Sequence, residues 1–332
     1  MARLWREQPA TIRKFVEIRP QYEQLCAEAS YILEKRIHSA GIEISSVTSR
    51  TKSLRSFAEK LVRKAHREPF DEITDLAGVR VVYLYKADRK AIEEIIEAEF
   101  DIIERVDKIE VREPNEFGYG ALHYLARVGR KSSGARYDDL RDLVCEIQVR
   151  TVLQDAWAII DHHLAYKQEG DVPKHLIRKL NSLSGLFETA DDQFDQIRSE
   201  REDYVRAVRG KKSNRGRFLE QELNLDTFRE YASWKFKDKP LHYSDTHSLK
   251  IFRVAQEHGL KTLSELDRVL QSTRKPRAAA AKDKRTQYAV AEIARALAFA
   301  FPDYRKSGPW TDENRARLDK FAHLMPKRDR AG

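Results

Sequence analysis

The stretch Cys145-Glu146-Ile147-Gln148-Val149-Arg150, continued by TVLQDAWAIIDHHLAYK at 151–167, decides the fold. Successive side chains of a strand point to opposite faces, so Glu146, Gln148 and Arg150 share one face and Cys145, Ile147 and Val149 the other. An apolar face belongs against a core, and three polar groups side by side line a site. A second run, Gly78-Val79-Arg80-Val81-Val82-Tyr83-Leu84-Tyr85, is β-branched and aromatic and predicts a mostly buried strand, with a short helix in AIEEIIEAEF at 91–100. Strand signals recur at about 101–110, 121–129 and 141–149, separated by the loops EPNEFGYG and RKSSGAR. Helical spacing of apolar residues covers about 10–40, Ser53 to His66, 151–166 and 174–208, and on the helix after Arg150 it turns Trp157, Ile160 and Leu164 inward. The expectation is an α/β domain with helix, strand, helix and a meander of strands, closed by two long helices.

Working outward, GKKSNRGR at 210–217 is polar, basic and glycine-flanked, which places a domain boundary there. Beyond it every periodic segment reads as helix, at about 224–234, 246–258, 262–272, 286–300 and 311–323. RKPRAAAAKDKR at 274–285 reads as a short linker or an alanine-rich helix start. The expected organisation is an α/β domain over 1–210 and an all-α module over 211–332.

The 332 residues suit about two domains. Residues 1–210 carry 35 Lys+Arg against 37 Asp+Glu, and residues 211–332 carry 27 against 16. The whole basic excess of +9 therefore lies in the last third, which would face a polyanion such as RNA. Charged residues reach 35%, against about 25% in an average domain, as solvated helices require. No apolar stretch approaches the length of a membrane span, and MARLWREQPATIRK lacks an apolar signal core, so a cytoplasmic protein is expected. Cys26 and Cys145 are the only cysteines, far apart and without a CxxC, which excludes a disulfide framework and a structural zinc site.

Four clusters carry chemistry. In SRTKSLRSFAEKLVRK, Ser56, Lys60 and Arg63 fall on one helical face, and Arg50 and Lys52 precede the helix, where its dipole also favours anions. In DEITDLAGVRVV, Asp75 stands at the entrance to a strand that carries Arg80, placed to ligate Mg²⁺ or to pair with that arginine. In FGYGALHYLA, Gly118 and Gly120 leave Tyr119 on an open loop for stacking, and His123 begins the next strand. In the deciding stretch, Glu146, Gln148 and Arg150 are joined by Asp155, His162, His163 and Lys167 as further polar groups. Adjacent histidines on a helix point about 100° apart, so His162 and His163 do not form one metal site. A cation clamp, two strand-borne carboxylates and a loop aromatic together predict Mg²⁺-assisted transfer of a phosphate-containing group between nucleotides.

In their order, SRTKSLRSFAEK, DEITDLAGVRVV, FGYGALHYL and CEIQVRTVLQDAWAIIDHHLAYK resemble the motif series of the RelA/SpoT-type alarmone synthetases, in particular the small members with a single synthetase domain, over about residues 20–205. The resemblance implies a nucleotidyltransferase-like mixed sheet flanked by helices, and transfer of the pyrophosphate of ATP to the 3′-hydroxyl of GDP or GTP, giving ppGpp or pppGpp and AMP. It assigns Arg50 and Arg80 to the donor adenine and Lys52, Ser56, Lys60 and Arg63 to the donor phosphates. Asp75 and Glu146 match the acidic pair that binds Mg²⁺, with Glu146 also activating the acceptor hydroxyl. Tyr119 matches the tyrosine that stacks on the acceptor guanine, and His123 and Gln148 complete that pocket. The chain departs from the family at Asn115 and Gly120, where many members have cations, and at Asp155, where asparagine is common. With the basic last third, these departures keep two alternatives open: an acceptor at the 3′ end of tRNA, as in some toxic relatives, and a catalytically inactive module that binds nucleotide or RNA. Some 45 residues precede the first motif, too few for the hydrolase domain of the long members, so synthesis without hydrolysis is expected. The expected partners are ATP and GDP or GTP, tRNA or another RNA on the basic module, and a second copy of the chain in a homo-oligomer.

Overall fold

The structure, a computed structural model, describes residues 8–63, 68–107, 120–165, 174–241, 244–283 and 287–326. The chain divides into two units, Met1–Arg198 and Ser199–Gly332.

In the first unit, Ile12, Phe15, Leu25, Ala29, Leu33 and Ile37 recur at helical spacing and are buried, which folds Pro9–Ser39 into the long helix α1. There follow β1 (Ile44–Thr51), α2 (Leu54–Arg63), the short α3 (Pro69–Glu72), β2 (Ala77–Tyr83), α4 (Arg89–Glu99), β3 (Phe100–Asp107), β4 (Leu122–Val128), β5 (Cys145–Thr151), α5 (Val152–Ala165) and α6 (Lys174–Gly210). The five strands form one sheet in the order β1-β2-β5-β4-β3. β2 and β5 pair in parallel at its centre, and the other pairs are antiparallel. The fold class is thus the expected mixed sheet flanked by helices.

Register turns the alternation in β5 into a two-faced sheet. Val79, Ile147 and Tyr124 lie across from one another, as do Val81, Val149 and Leu122. All six are buried in one core with α1 and with Ile92 and Ile96 of α4. The other face carries the polar rows: Arg50, Gly78, Glu146 and Leu125 in one, Thr48, Arg80, Gln148 and His123 in the next.

Two expectations are corrected here. Ile44–Thr51, the stretch ISSVTSRT, forms the edge strand β1, so Arg50 is strand-borne and reaches the site from the sheet rather than from a helix start. Five of its eight residues are serine or threonine, and the alternation of apolar side chains that marks a half-buried strand is lost. On α5, Trp157 is buried as expected, but Ile160 is 45% exposed and does not join the core. Leu164 and Lys167 lie outside the residues whose side chains are described.

Among the described residues the regular structure of the second unit is helical apart from one bridge between Glu222 and Thr262. It holds α7 (Arg215–Leu219), α8 (Leu225–Lys235), α9 (Asp245–Glu257), α10 (Leu263–Ser272), α11 (Arg274–Asp283), α12 (Ala289–Ala300), α13 (Pro302–Ser307) and α14 (Asp312–Phe321). Asn224 and Thr262 start α8 and α10 with capping boxes, each satisfying orphan N–H groups of the first turn. The alanine-rich segment is therefore a helix, α11. The stretch 210–217, read as the domain boundary, comprises the end of α6, a 3-10 turn at Lys211–Ser213 and the start of α7, and the division between units lies within α6. α12 is the core helix of this unit, with Val290, Ile293, Leu297 and Phe299 buried. Among the described residues no helix is long and apolar enough to cross a membrane.

Candidate active site

The loop Lys52-Ser53 fixes the first wall. Lys52 N–H donates to the Leu76 carbonyl at 2.9 Å, and the Ser53 hydroxyl accepts from Ser56 N–H at 3.1 Å, capping α2. Phe57, Ala58 and Leu61 bury one side of α2, with Phe57 stacked on Phe15 of α1 at 4.3 Å. Its opposite side, Ser56, Glu59, Lys60 and Arg63, is thereby turned onto a cavity of about 830 Å³. The polar face of the sheet supplies the other wall: Arg50, Gly78, Arg80, Glu146 and Gln148, with Asp75 at the mouth of β2 and His162 from α5. Seven predicted site residues besides the two carboxylates, namely Arg50, Lys52, Ser56, Lys60, Arg63, Arg80 and Gln148, line this one cavity.

Charge is balanced in three local groups. Asp75 accepts from Lys52 Nζ at 2.5 Å and from Lys60 Nζ at 2.9 Å, so the two ammonium groups share one carboxylate. Burial would raise the pKa of Asp75, but these two hydrogen bonds outweigh it and hold the carboxyl below its ordinary range. The group therefore stays charged at neutral pH, and Lys52 and Lys60 are gathered where a polyphosphate would meet them.

Glu146 is held on both oxygens. His123 Nδ1 lies 2.7 Å from Oε1, and Gln148 Nε2 donates to Oε2 at 3.0 Å. Burial again works toward a higher pKa, and the contacts from His123 and Gln148 bring it below the usual value. A carboxylate can only accept, so Nδ1 of His123 carries the proton in this contact. The histidine is buried at the back of the carboxylate and fixes its orientation.

Arg80 pairs not with Asp75 but with Asp155 of α5, at 2.9 Å, and Arg150 approaches the same oxygen at 3.9 Å. Burial and the neighbouring Arg80 lower the pKa of Arg150. Asp155 is thus the counter-charge shared by two partly buried guanidiniums. The sequence marks it as polar, but nothing in the spacing of residues 80 and 155 announces the pair. Tyr119, Gly118 and Asn115 fall outside the described residues, whereas Gly120 is described and buried.

Asp75 and Glu146 suit a hard divalent cation: both line the cavity, and the charge of Asp75 is felt at Glu146 as a small opposing push against the net lowering of its pKa. Each oxygen here spends one acceptor position and keeps another. His162 and His163 hold their rings nearly perpendicular, 6.4 Å apart, and no cluster of three or more His, Cys, Asp or Glu with metal-site geometry occurs among the described residues. Cys26 and Cys145 are both buried, and burial pushes the Cys145 thiol up to about 12, which removes thiolate chemistry from consideration.

Residues 49–171, which include the cavity and its two carboxylates, match the region found in RelA / SpoT proteins. The chain is similar to two proteins of Bacillus subtilis (strain 168). The GTP pyrophosphokinase YjbM is 30% identical over 175 residues, covering 51% of this chain and 79% of YjbM. The GTP pyrophosphokinase YwaC is 29% identical over 163 residues, covering 47% of this chain and 75% of YwaC. Among solved structures, the small alarmone synthetase 1 from Bacillus subtilis is 26% identical, with 57% of this chain and 98% of that one covered and a TM-score of 0.49. With residues of the first, second and fourth motifs lining one cavity and a relative 30% identical covered over 79% of its length, the chain belongs to the RelA/SpoT-type alarmone synthetase family.

Proposed function

We propose that the protein transfers the pyrophosphate group of ATP to the 3′-hydroxyl of GDP or GTP, making ppGpp or pppGpp and releasing AMP. The observation that carries this reading is one cavity lined by the cation face of α2, by Asp75 held between Lys52 and Lys60, and by Glu146 on the sheet. In the reaction the bond between the α-phosphate and the bridging oxygen is kept, that oxygen leaves with AMP, and the acceptor 3′-oxygen bonds the β-phosphorus.

Arg50 and Arg80 clamp the donor base in this scheme, and Lys52, Ser56, Lys60 and Arg63 hold the donor phosphates. Little covalent help is needed in such transfers, since positioning and charge neutralisation lower most of the barrier. Lys52 and Lys60 exchange Asp75 for phosphate oxygens as the donor enters. Asp75 and Glu146 would then hold Mg²⁺, whose charge neutralises the transferred group. Glu146, locked by His123 and Gln148, takes the proton of the acceptor hydroxyl. Tyr119 and Gln148 form the acceptor side, with Tyr119 stacking on guanine, and His123 serves that side from behind by orienting Glu146.

The test is label transfer from ATP labelled on the γ-phosphate, with Mg²⁺ and GDP, GTP, ATP or uncharged tRNA in separate tubes. Label on GDP or GTP is expected, with at least a hundredfold loss in Glu146→Gln. Label on tRNA alone, or full activity in the variant, overturns the reading.

A further inference from the structure

Thr151, Gln154 and Asp191 are three polar side chains buried outside the cavity, and none has a part in the transfer chemistry. They form one network. Thr151 ends β5; its N–H donates to Gln154 Oε1 at 2.8 Å, and its hydroxyl accepts from Gln154 N–H at 3.0 Å, a capping box that starts α5. The single hydroxyl proton then goes to Asp191 Oδ2 at 2.6 Å, so a carboxyl group on α6 fixes the side chain that starts α5. Phe187, one turn earlier on the same side of α6, meets Trp157 of α5 edge-on at 6.0 Å. α6 thus braces α5 at two points.

The brace matters because of what α5 carries. Asp155 stands in its first turn, one residue past the capping box, and holds Arg80 at 2.9 Å, with Arg150 3.9 Å from the same oxygen. A helix start that shifts by about 1 Å carries Asp155 out of hydrogen-bond range. We propose that Asp191 is a positioning residue for the donor site: through the Thr151 hydroxyl it fixes the start of α5, and thereby Asp155 and the guanidinium of Arg80, a role that rests on the assignment of Arg80 to the donor base.

The same brace responds to pH. Around Asp191 stand Asp192 and Asp195 on α6, Lys86 in the turn after β2, and Tyr83, the register partner of Thr151 on β2, which Arg89 and Glu93 of α4 face in turn. Lys86 is spent on Asp192 at 2.5 Å, Asp195 accepts from Ala87 N–H at 3.0 Å, and Asp88 pairs with Arg198 at 2.6 Å. Burial pushes the Asp191 carboxyl up to about 7; Lys86 opposes the rise, and Asp195 and Asp192 add to it. A folded value above the ordinary one means that the neutral carboxyl fits and the charged one does not. The brace is therefore firm below neutral pH and loosens as pH rises through about 7.

Steady-state kinetics of the full chain supply the test, with ATP varied at saturating acceptor. Asp191→Ala and the near-isosteric Thr151→Val are each expected to raise KM for ATP about fivefold with kcat within about twofold, and the double variant to rise no further, since both break one linkage. Asp191→Asn keeps the acceptor oxygen and cannot ionise. It should match the wild type at about pH 6 and lack its rise in KM between about pH 6 and 8, the ratio of the two cancelling every other titrating group. An unchanged KM in Asp191→Ala and Thr151→Val, additive rises in the double variant, or parallel pH profiles of the wild type and Asp191→Asn would each overturn the inference. Full activity in Glu146→Gln strikes the transfer reading instead, whereas an inactive Glu146→Gln beside an unmoved Asp191→Ala strikes the brace alone.

Discussion

At the scale of single residues, the site is a set of ion pairs waiting for a more anionic partner. Lys60→Met leaves Asp75 with one ammonium partner and the donor phosphates with one cation fewer. Loss of a charge-assisted hydrogen bond of about 2 kcal/mol lowers kcat/KM for ATP roughly 30-fold, measurable in steady-state kinetics. Asp155→Ala frees Arg80 and Arg150 to repel each other, and KM for ATP should rise about tenfold while kcat moves less than threefold; Asp155→Asn, which keeps the acceptor oxygen, should recover part of that loss. The sequence makes the lining residues readable, because Ser56, Lys60 and Arg63 share a helical face and Glu146 and Gln148 a strand face whatever surrounds them. Their partners are not readable. The Lys52 and Lys60 pairing with Asp75 depends on the loop that carries Lys52 back to Leu76, and the Arg80 pairing with Asp155 on the packing of α5 over the sheet.

At the scale of elements, α2 acts as a hinge pin: one side is stapled to α1 and the other faces the cavity. Phe57→Ala opens a void beneath it, next to the stacked Phe15, and should cost about 3–4 kcal/mol in chemical denaturation, with ATP binding weakened in the same variant. β2 was legible because its run is β-branched and aromatic and β5 because its apolar alternation is strong, and β1 was not, because an edge strand rich in serine and threonine shows little of either. Strand pairing, rather than local preference, makes ISSVTSRT extended, and it is this pairing that brings Arg50 beside Gly78. The same limit explains Ile160: helical spacing says which residues share a side, and only packing says which side is covered.

At the scale of the whole molecule, each unit has its own core, and the helical unit hangs on one buried carboxylate. Asp267, 2% exposed, accepts from Tyr231, Lys235, Arg215 and Gln271. Burial would raise its pKa, but the hydrogen bonds from Lys235 and Tyr231 prevail and bring it to about 2. Because the folded value lies below the unfolded one of about 3.9, the stabilisation, about 2–3 kcal/mol, is present above pH 4 and fades as pH falls toward 2. Asp267→Asn should lower stability by that amount at pH 7 and by much less near pH 2, read by denaturation at each pH. Two separate cores also predict two calorimetric transitions, of which Asp267→Asn should shift one. The fold of the second unit was legible as helices, and its purpose was not, since its polar network serves its own core. Gly78, finally, has a use of its own. A side-chain carbon there would meet nothing nearer than the Arg50 carbonyl at 3.8 Å, so the sheet has room for Gly78→Val, and the added methyls would project into the space that ligands need. The outcome should be a plugged but native protein, a matched blank with an unaltered melting profile and no bound ATP, against which any effect of the working enzyme in a cell can be measured.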